Sequence, residues 1–180
     1  RIRKSLRSCC TDKPQKGITV MRIRTATAAD LAEITKIEAA CFPASEAATE
    51  TSFVRRLQVY PNHFWVLTDG NNMVSFGKGM VTDEKDLRDE MYEDAALHHE
   101  NGAWQMIFGV DTIPSYRCRG CAESLLRHVI RKAREQGRKG LVLTCKEALL
   151  HYYGKFGFVN EGISQSTHGD VVWYQMRLTF

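Results

Sequence analysis

The change of period between Met106 and Ala133 constrains this chain more than any other feature. Met106–Val110 is an apolar run with strand character, and Pro114 and Ser115 break it. After Gly120, the residues Ala122, Leu125, Leu126, Val129, Ile130 and Ala133 recur at helical spacing and form one apolar stripe. Strand, loop and helix therefore follow one another with a glycine at the join. The first N–H groups of such a helix have no internal partner and sit at the positive end of its dipole, where a phosphate is a natural ligand. Gly120 carries no side chain that would hold a ligand off the backbone. Arg117 and Arg119 add positive charge that suits a diphosphate. With one glycine, and neither a Gly-x-Gly-x-x-Gly nor a Walker pattern, spacing alone leaves anion binding and a plain helix start both open.

The remaining segments read in order as follows. Val20–Ala26 alternates as a strand, and Thr27-Ala28-Ala29-Asp30 is a capping-box start with Asp in place of Glu. Leu31, Ile34, Ile37, Glu38 and Cys41 continue at helical spacing until Phe42-Pro43. Glu38 falls on or beside the apolar stripe, so a half-exposed surface carboxylate and a pocket residue are both open. Ser45–Tyr60 is a second helix, burying Phe53, Val54 and Leu57. Phe64–Leu67 and Met73–Val81 are strands joined by the turn Asp69-Gly70-Asn71-Asn72. Asp83–His99 is charged and expected to be a helical cover, with Leu87, Met91, Tyr92 and Ala95 facing inward. His98-His99-Glu100 precede Asn101-Gly102, which places the histidines in a solvated turn rather than in a metal site. Gly140–Thr144 is a buried-strand run, Glu147–Tyr153 a short helix, Phe156-Gly157-Phe158 the start of another strand, Gly162–Asp170 a loop and Val171–Leu178 the last strand. The order β-α-α-β-β-α-β-α-β-α-β-β predicts an α/β (α+β) sandwich with a mixed sheet of about seven strands flanked by helices.

Charge narrows the function. Residues 1–24 hold eight Lys/Arg and one Asp, a net +7, whereas the remainder holds 17 basic and 20 acidic residues, a net −3. The body is mildly acidic, which gives no electrostatic support to nucleic-acid binding. No apolar run approaches the ~20 residues that span a bilayer, and the basic N-terminus lacks the apolar core of a secretory signal. Residues 1–19 read as a disordered or vector-derived tail before one domain over 20–180, with Met21 as the native start. The expected compartment is the cytoplasm, where the six cysteines are free thiols. Cys118-x-x-Cys121 at a helix start also permits a redox pair.

Arg117-x-x-Gly120-x-Ala122 after an apolar strand resembles the acyl-coenzyme A loop of the GNAT N-acetyltransferase superfamily, Gln/Arg-x-x-Gly-x-Gly/Ala. Cys118 stands where that loop often has another glycine. Tyr153-x-x-x-Gly157-Phe158 resembles the family's second motif, and the two together span about residues 22–179. Ile37-Glu38, Phe42-Pro43 and Phe156-Gly157-Phe158 resemble the arylalkylamine (serotonin) type. The resemblance implies acetyl-CoA as acyl donor and no metal. It also implies that the backbone of Tyr116, Arg117, Cys118, Arg119, Gly120, Cys121 and Ala122 cradles the diphosphate. The same resemblance implies that Phe108, Gly109 and Val110 line the pantetheine arm on a strand that splays from its neighbour, and that Tyr153 and Phe156 also bind the cofactor.

Transfer to an amine requires that the amine lose a proton and that the departing thiolate gain one. Tyr153, with a reference pKa of about 10, is the expected acid, with Tyr152 as its alternate. The arylalkylamine enzymes carry two histidines on the central strand, and the corresponding positions here are Trp104 and Met106. Glu38 acting through water is the first substitute for the missing base, and His151 the second. Phe42, Trp104 and Met106 are candidates for an apolar acceptor pocket, with core packing an equal reading for the last two. Cys145 as an acyl-carrying nucleophile is disfavoured, because no histidine stands at a helpful spacing. The expected function is acetyl transfer to a primary, small-molecule amine by direct attack in a ternary complex. The alternatives are a coenzyme A-binding sensor without catalysis and a thiol redox protein using Cys118 and Cys121.

Overall fold

Elements that are apolar on one side must bury that side, and helices laid over both faces of a sheet do so. The computed structural model describes residues 21–180; the expected tail over 1–19 lies outside them. Strand β1 (Met21–Thr25) leads through a short 3-10 turn into helix α1 (Leu31–Cys41). The Asp30 carboxylate accepts the Thr27 N–H at 2.8 Å and holds the Arg24 guanidinium at 2.7 Å through both oxygens, so the predicted capping geometry forms. Helix α2 (Glu50–Val59) starts five residues later than expected: the Pro43 carbonyl accepts the N–H groups of Glu46 and Ala47 to close a turn, and Thr49 caps the helix by accepting the Ser52 N–H.

Strands β2 (Phe64–Asp69) and β3 (Asn72–Thr82) form the predicted hairpin, with Gly70 at φ 60° in its turn. The segment that follows departs from expectation. Only Glu90–Glu93, helix α3, and a 3-10 turn at Ala95–Leu97 are helical between Asp83 and His99. Its acidic side chains are spent elsewhere: Asp83 accepts from Ala103, Asp94 from Ala96, and Asp89 from Ser166 and Thr167. Such bonds compete with helical ones. Leu87 and Met91 are nevertheless buried, as the pattern implied.

Strand β4 (Trp104–Thr112), helix α4 (Cys121–Glu135), strand β5 (Gly140–Cys145), helix α5 (Leu150–Gly154), strand β6 (Val159–Ile163) and strand β7 (Tyr174–Thr179) complete the chain. Among the described residues, seven strands make one mixed sheet in the order β1-β2-β3-β4-β5-β7-β6, in which β4 and β5 are parallel. One face packs α1 and α2 through Ile34, Ile37, Phe53, Phe76 and Met106. The other packs α4 through Leu125, Leu126, Val129 and Leu141.

Two irregularities position the site. Lys78 pairs with Gly109 and Gly79 with Ile107, so Phe108 is an extra residue and β4 bulges there. Pairing of β4 with β5 ends at Ile107 and Leu143, although β4 runs on to Thr112 and β5 to Cys145. Beyond that point the two parallel strands part.

Candidate active site

The parting of β4 and β5 opens into a cavity of about 1040 Å³ that runs from the start of α4 to the loops over α1 and α2. The apolar stripe of α4 fixes this helix on the sheet, and its first turn then faces the gap. Gly120 adopts φ 78°, which turns the chain into the helix, and a side chain added there would meet nothing within 4 Å. Conformation rather than space selects glycine at this position. Cys118 also adopts a left-handed backbone, φ 59°, where the resemblance marked a missing glycine.

The cavity wall brings together most of the residues singled out in the sequence. Phe108, Gly109 and Val110 form the β4 side, and Tyr116, Arg117, Cys118, Gly120, Cys121 and Ala122 form the end by α4. Tyr153, Glu38 and Phe42 complete it. Four of the candidates lie outside the cavity wall. Arg119 lies outside the wall, exposed, with its guanidinium 4.9 Å from the centre of the Tyr116 ring. Phe156 packs against Tyr152 and under Arg127 instead of facing the cavity. Trp104 and Met106 are core residues rather than pocket residues, because both precede the bulge on the face packed by α1 and α2.

Glu38 is neither half-exposed nor free. It is 2% exposed, its Oε1 accepts the Ala48 N–H at 2.8 Å, and its Oε2 is bonded by Lys78. Lys78 Nζ also lies 3.1 Å from Asp111 Oδ2, and all three residues line the cavity. Phe42, Phe53 and Phe76 surround the ammonium at 5.1–5.5 Å. Asp111 Oδ1 has no hydrogen-bond partner among the described residues. Burial lifts the Asp111 carboxyl well above the usual carboxylate range, against the pull of Lys78. The sequence did carry a signal for this cluster: each of its three charges interrupts an apolar pattern.

Tyr153 stands across the cavity, with its ring 5.2 Å from Tyr152 and 6.0 Å from Phe158. Its hydroxyl has no protein partner among the described residues. Burial pushes it far above the ordinary phenol range, and Cys145, Tyr152 and Asp111 add to the shift. A phenol held protonated in this way is a donor. Cys145 donates weakly to Met176 Sδ at 3.6 Å, and burial pushes its thiol up to about 11, which argues against a nucleophile. Cys121 is buried and its thiol is likewise raised, while Cys118 is exposed; both are free.

Aromatic groups close the other end. Tyr92 lies 4.7 Å from Phe108 and stacks on His168 at 5.3 Å, and Trp173 donates to the His168 carbonyl. Lys146 reaches Glu46 at 2.8 Å, leaving Glu46 Oε2 buried and unpartnered among the described residues.

His98 is not in a solvated turn. It packs 4.8 Å from Tyr60 and 5.1 Å from His63, while His99 alone is exposed. His63, His98 and Glu100 cluster closely enough to share an ion. However, His98 Nδ1 accepts the Val81 N–H, so Nε2 carries the hydrogen it gives to Glu100. Arg138 also approaches Glu100 at 3.5 Å. Without the His98 lone pair, and beside a guanidinium, the cluster is a poor cation site.

The site is thus built on a mixed sheet whose two central parallel strands part beside the N-terminus of a helix. Residues 31–158 match the acetyltransferase (GNAT) family, and the chain belongs to it. None of the curated proteins matches the sequence significantly. Among solved structures, a GphF GNAT-like decarboxylase in complex with isobutyryl-CoA is similar at TM-score 0.74 and 22% identity, covering 88% of this chain and 98% of that one. The ribosomal-protein-S18-alanine N-acetyltransferase from Escherichia coli is similar at TM-score 0.68 and 19% identity, over 89% and 94%. Arabidopsis thaliana Naa50, in complex with the bisubstrate analogue CoA-Ac-MVNAL, is similar at TM-score 0.69 and 16% identity, over 89% and 99%. At these identities the likeness establishes the fold.

Proposed function

We propose that the protein is an N-acetyltransferase that moves the acetyl group of acetyl-CoA onto a primary amine within a ternary complex. The observation that carries this reading is the end of β4–β5 pairing at Ile107, which leaves the backbone of Phe108, Gly109 and Val110 beside a cavity that ends at the start of α4. Pantetheine lies along these three residues, and the diphosphate meets the N–H groups between Arg117 and Ala122, with Arg117 adding charge. In this reading a backbone N–H of the strand Ile107–Val110 stabilises oxygen charge as the amine adds. Tyr153 gives the departing thiolate its proton. The aromatic end, with Phe42, Phe108, Tyr92 and Trp173, suits an amine carried on a flat apolar group, which supports the arylalkylamine-like expectation.

The test is calorimetric titration with acetyl-CoA, followed by thiol release with a panel of amines. Thiol release on adding an amine supports transfer; decarboxylation would leave the thioester intact. Binding without release against every amine class would favour the coenzyme A sensor instead.

A further inference from the structure

The acyl-transfer reading lacks a proton acceptor. Both oxygens of Glu38, the first expected base, already accept a hydrogen bond. The cavity floor holds two carboxylates, Glu38 and Asp111, and one ammonium, Lys78. These side chains are 2%, 0% and 4% exposed, so a net charge of −1 would be largely withdrawn from water. A cationic acceptor entering the cavity balances that charge. Only one carboxylate oxygen of the three residues, Asp111 Oδ1, has no partner among the described residues. It lies 3.9 Å from where a side chain on Gly109 would begin, beside the β4 backbone assigned to the thioester arm.

We infer that Asp111 takes the proton from the acceptor's ammonium group, with Lys78 and Glu38 positioning its carboxylate. This rests on the acyl-transfer reading. The ammonium N–H bond breaks and its proton joins Asp111 Oδ1, leaving a neutral amine and a neutral carboxyl. The nitrogen lone pair forms the C–N bond to the thioester carbonyl carbon, the C–S bond breaks, and the thiolate takes a proton from Tyr153. The second nitrogen proton restores Tyr153, and Asp111 returns its proton to solvent. The other titratable groups around Asp111 are Cys41 on α1 and Tyr153 on α5. The raised affinity of Asp111 for a proton fits this exchange near neutral pH.

The test compares two acceptors of similar shape. One is an alkylamine with pKa near that of lysine, about 10.4; the other is an aryl amine already neutral at pH 7. In Asp111→Asn, kcat/KM for the alkylamine is expected to fall about 100-fold or more, and for the neutral amine by no more than about threefold. Acetyl-CoA affinity stays unchanged. Equal losses on both amines, or no loss on the alkylamine, overturn the assignment. Should the variant not fold, the wild-type pH profile decides: kcat for the alkylamine rises with pH through neutrality while kcat for the neutral amine stays flat. Parallel profiles overturn it. Absence of thiol release from the wild type with both amines would overturn the acyl-transfer reading, and this inference with it.

Discussion

Gly109 lies directly over Lys78: a methyl group on the glycine would stand 3.0 Å from Lys78 Cε and 3.3 Å from Nζ. The lysine cannot swing away, because Glu38 and Asp111 hold its ammonium. Gly109→Ala is therefore expected to cost about 1–3 kcal/mol by overpacking, read as a fall in the midpoint of urea unfolding. An unchanged midpoint would mean that the lysine has room to move.

Tyr153→Phe removes only a hydroxyl that has no hydrogen-bond partner among the described residues. If that hydroxyl protonates the thiolate, kcat should fall about 100-fold or more while acetyl-CoA affinity changes little. Thiol-release kinetics beside calorimetry give both numbers, and undiminished turnover would take Tyr153 out of the acid role.

Cys118 carries a β-carbon in a left-handed backbone, φ 59°, two residues before Gly120 at φ 78°. Cys118→Gly should relieve strain and raise stability by a few tenths to about 1 kcal/mol, the gain being reduced by the glycine's freedom when unfolded. Gly120→Ala should lower it by about 1 kcal/mol through the same conformational preference. Thermal melts of the two variants should move in opposite directions.

The Asp30 carboxyl is held down to about 2, chiefly by its bonds from Arg24. Its folded pKa lies below its unfolded one, so its contribution to stability is complete above about pH 4. It is lost as acid protonates the folded carboxylate near pH 2. Asp30→Asn should flatten that part of the pH–stability curve, which denaturant melts across the acid range will reveal.

Zinc should not stabilise the protein through His63, His98 and Glu100. The His98 Nδ1 lone pair is committed to Val81, and Arg138 faces the same carboxylate. A melting temperature raised by stoichiometric zinc, and returned to the metal-free value by His98→Ala, would contradict this.

Local pattern was enough to order the elements. The 3.6-residue stripe of α4, the Thr27–Asp30 cap and the Asp69–Asn72 turn are settled by residues within a few positions of one another, and they appear as read. The acid-rich stretch from Asp83 misled because its carboxylates bond to Ala103, Ser166 and Thr167, partners that no local window contains. Trp104 and Met106 were ambiguous for a related reason: alternation does not reveal which face of a sheet a cavity will open on, and the bulge at Phe108 decided it.

The site divides in the same way. The chain's own order of residues determined the helix start that suits a diphosphate, the neighbouring glycine and arginine, and the tyrosine after β5, since each depends on adjacent backbone. The floor of the cavity was decided only by tertiary packing. Lys78 meets Glu38 across 40 residues and Asp111 across 33, and folding against α1 withdraws all three from water. Burial, acting against the pull of Lys78, is what turns an ordinary aspartate into a group able to hold a proton near neutrality.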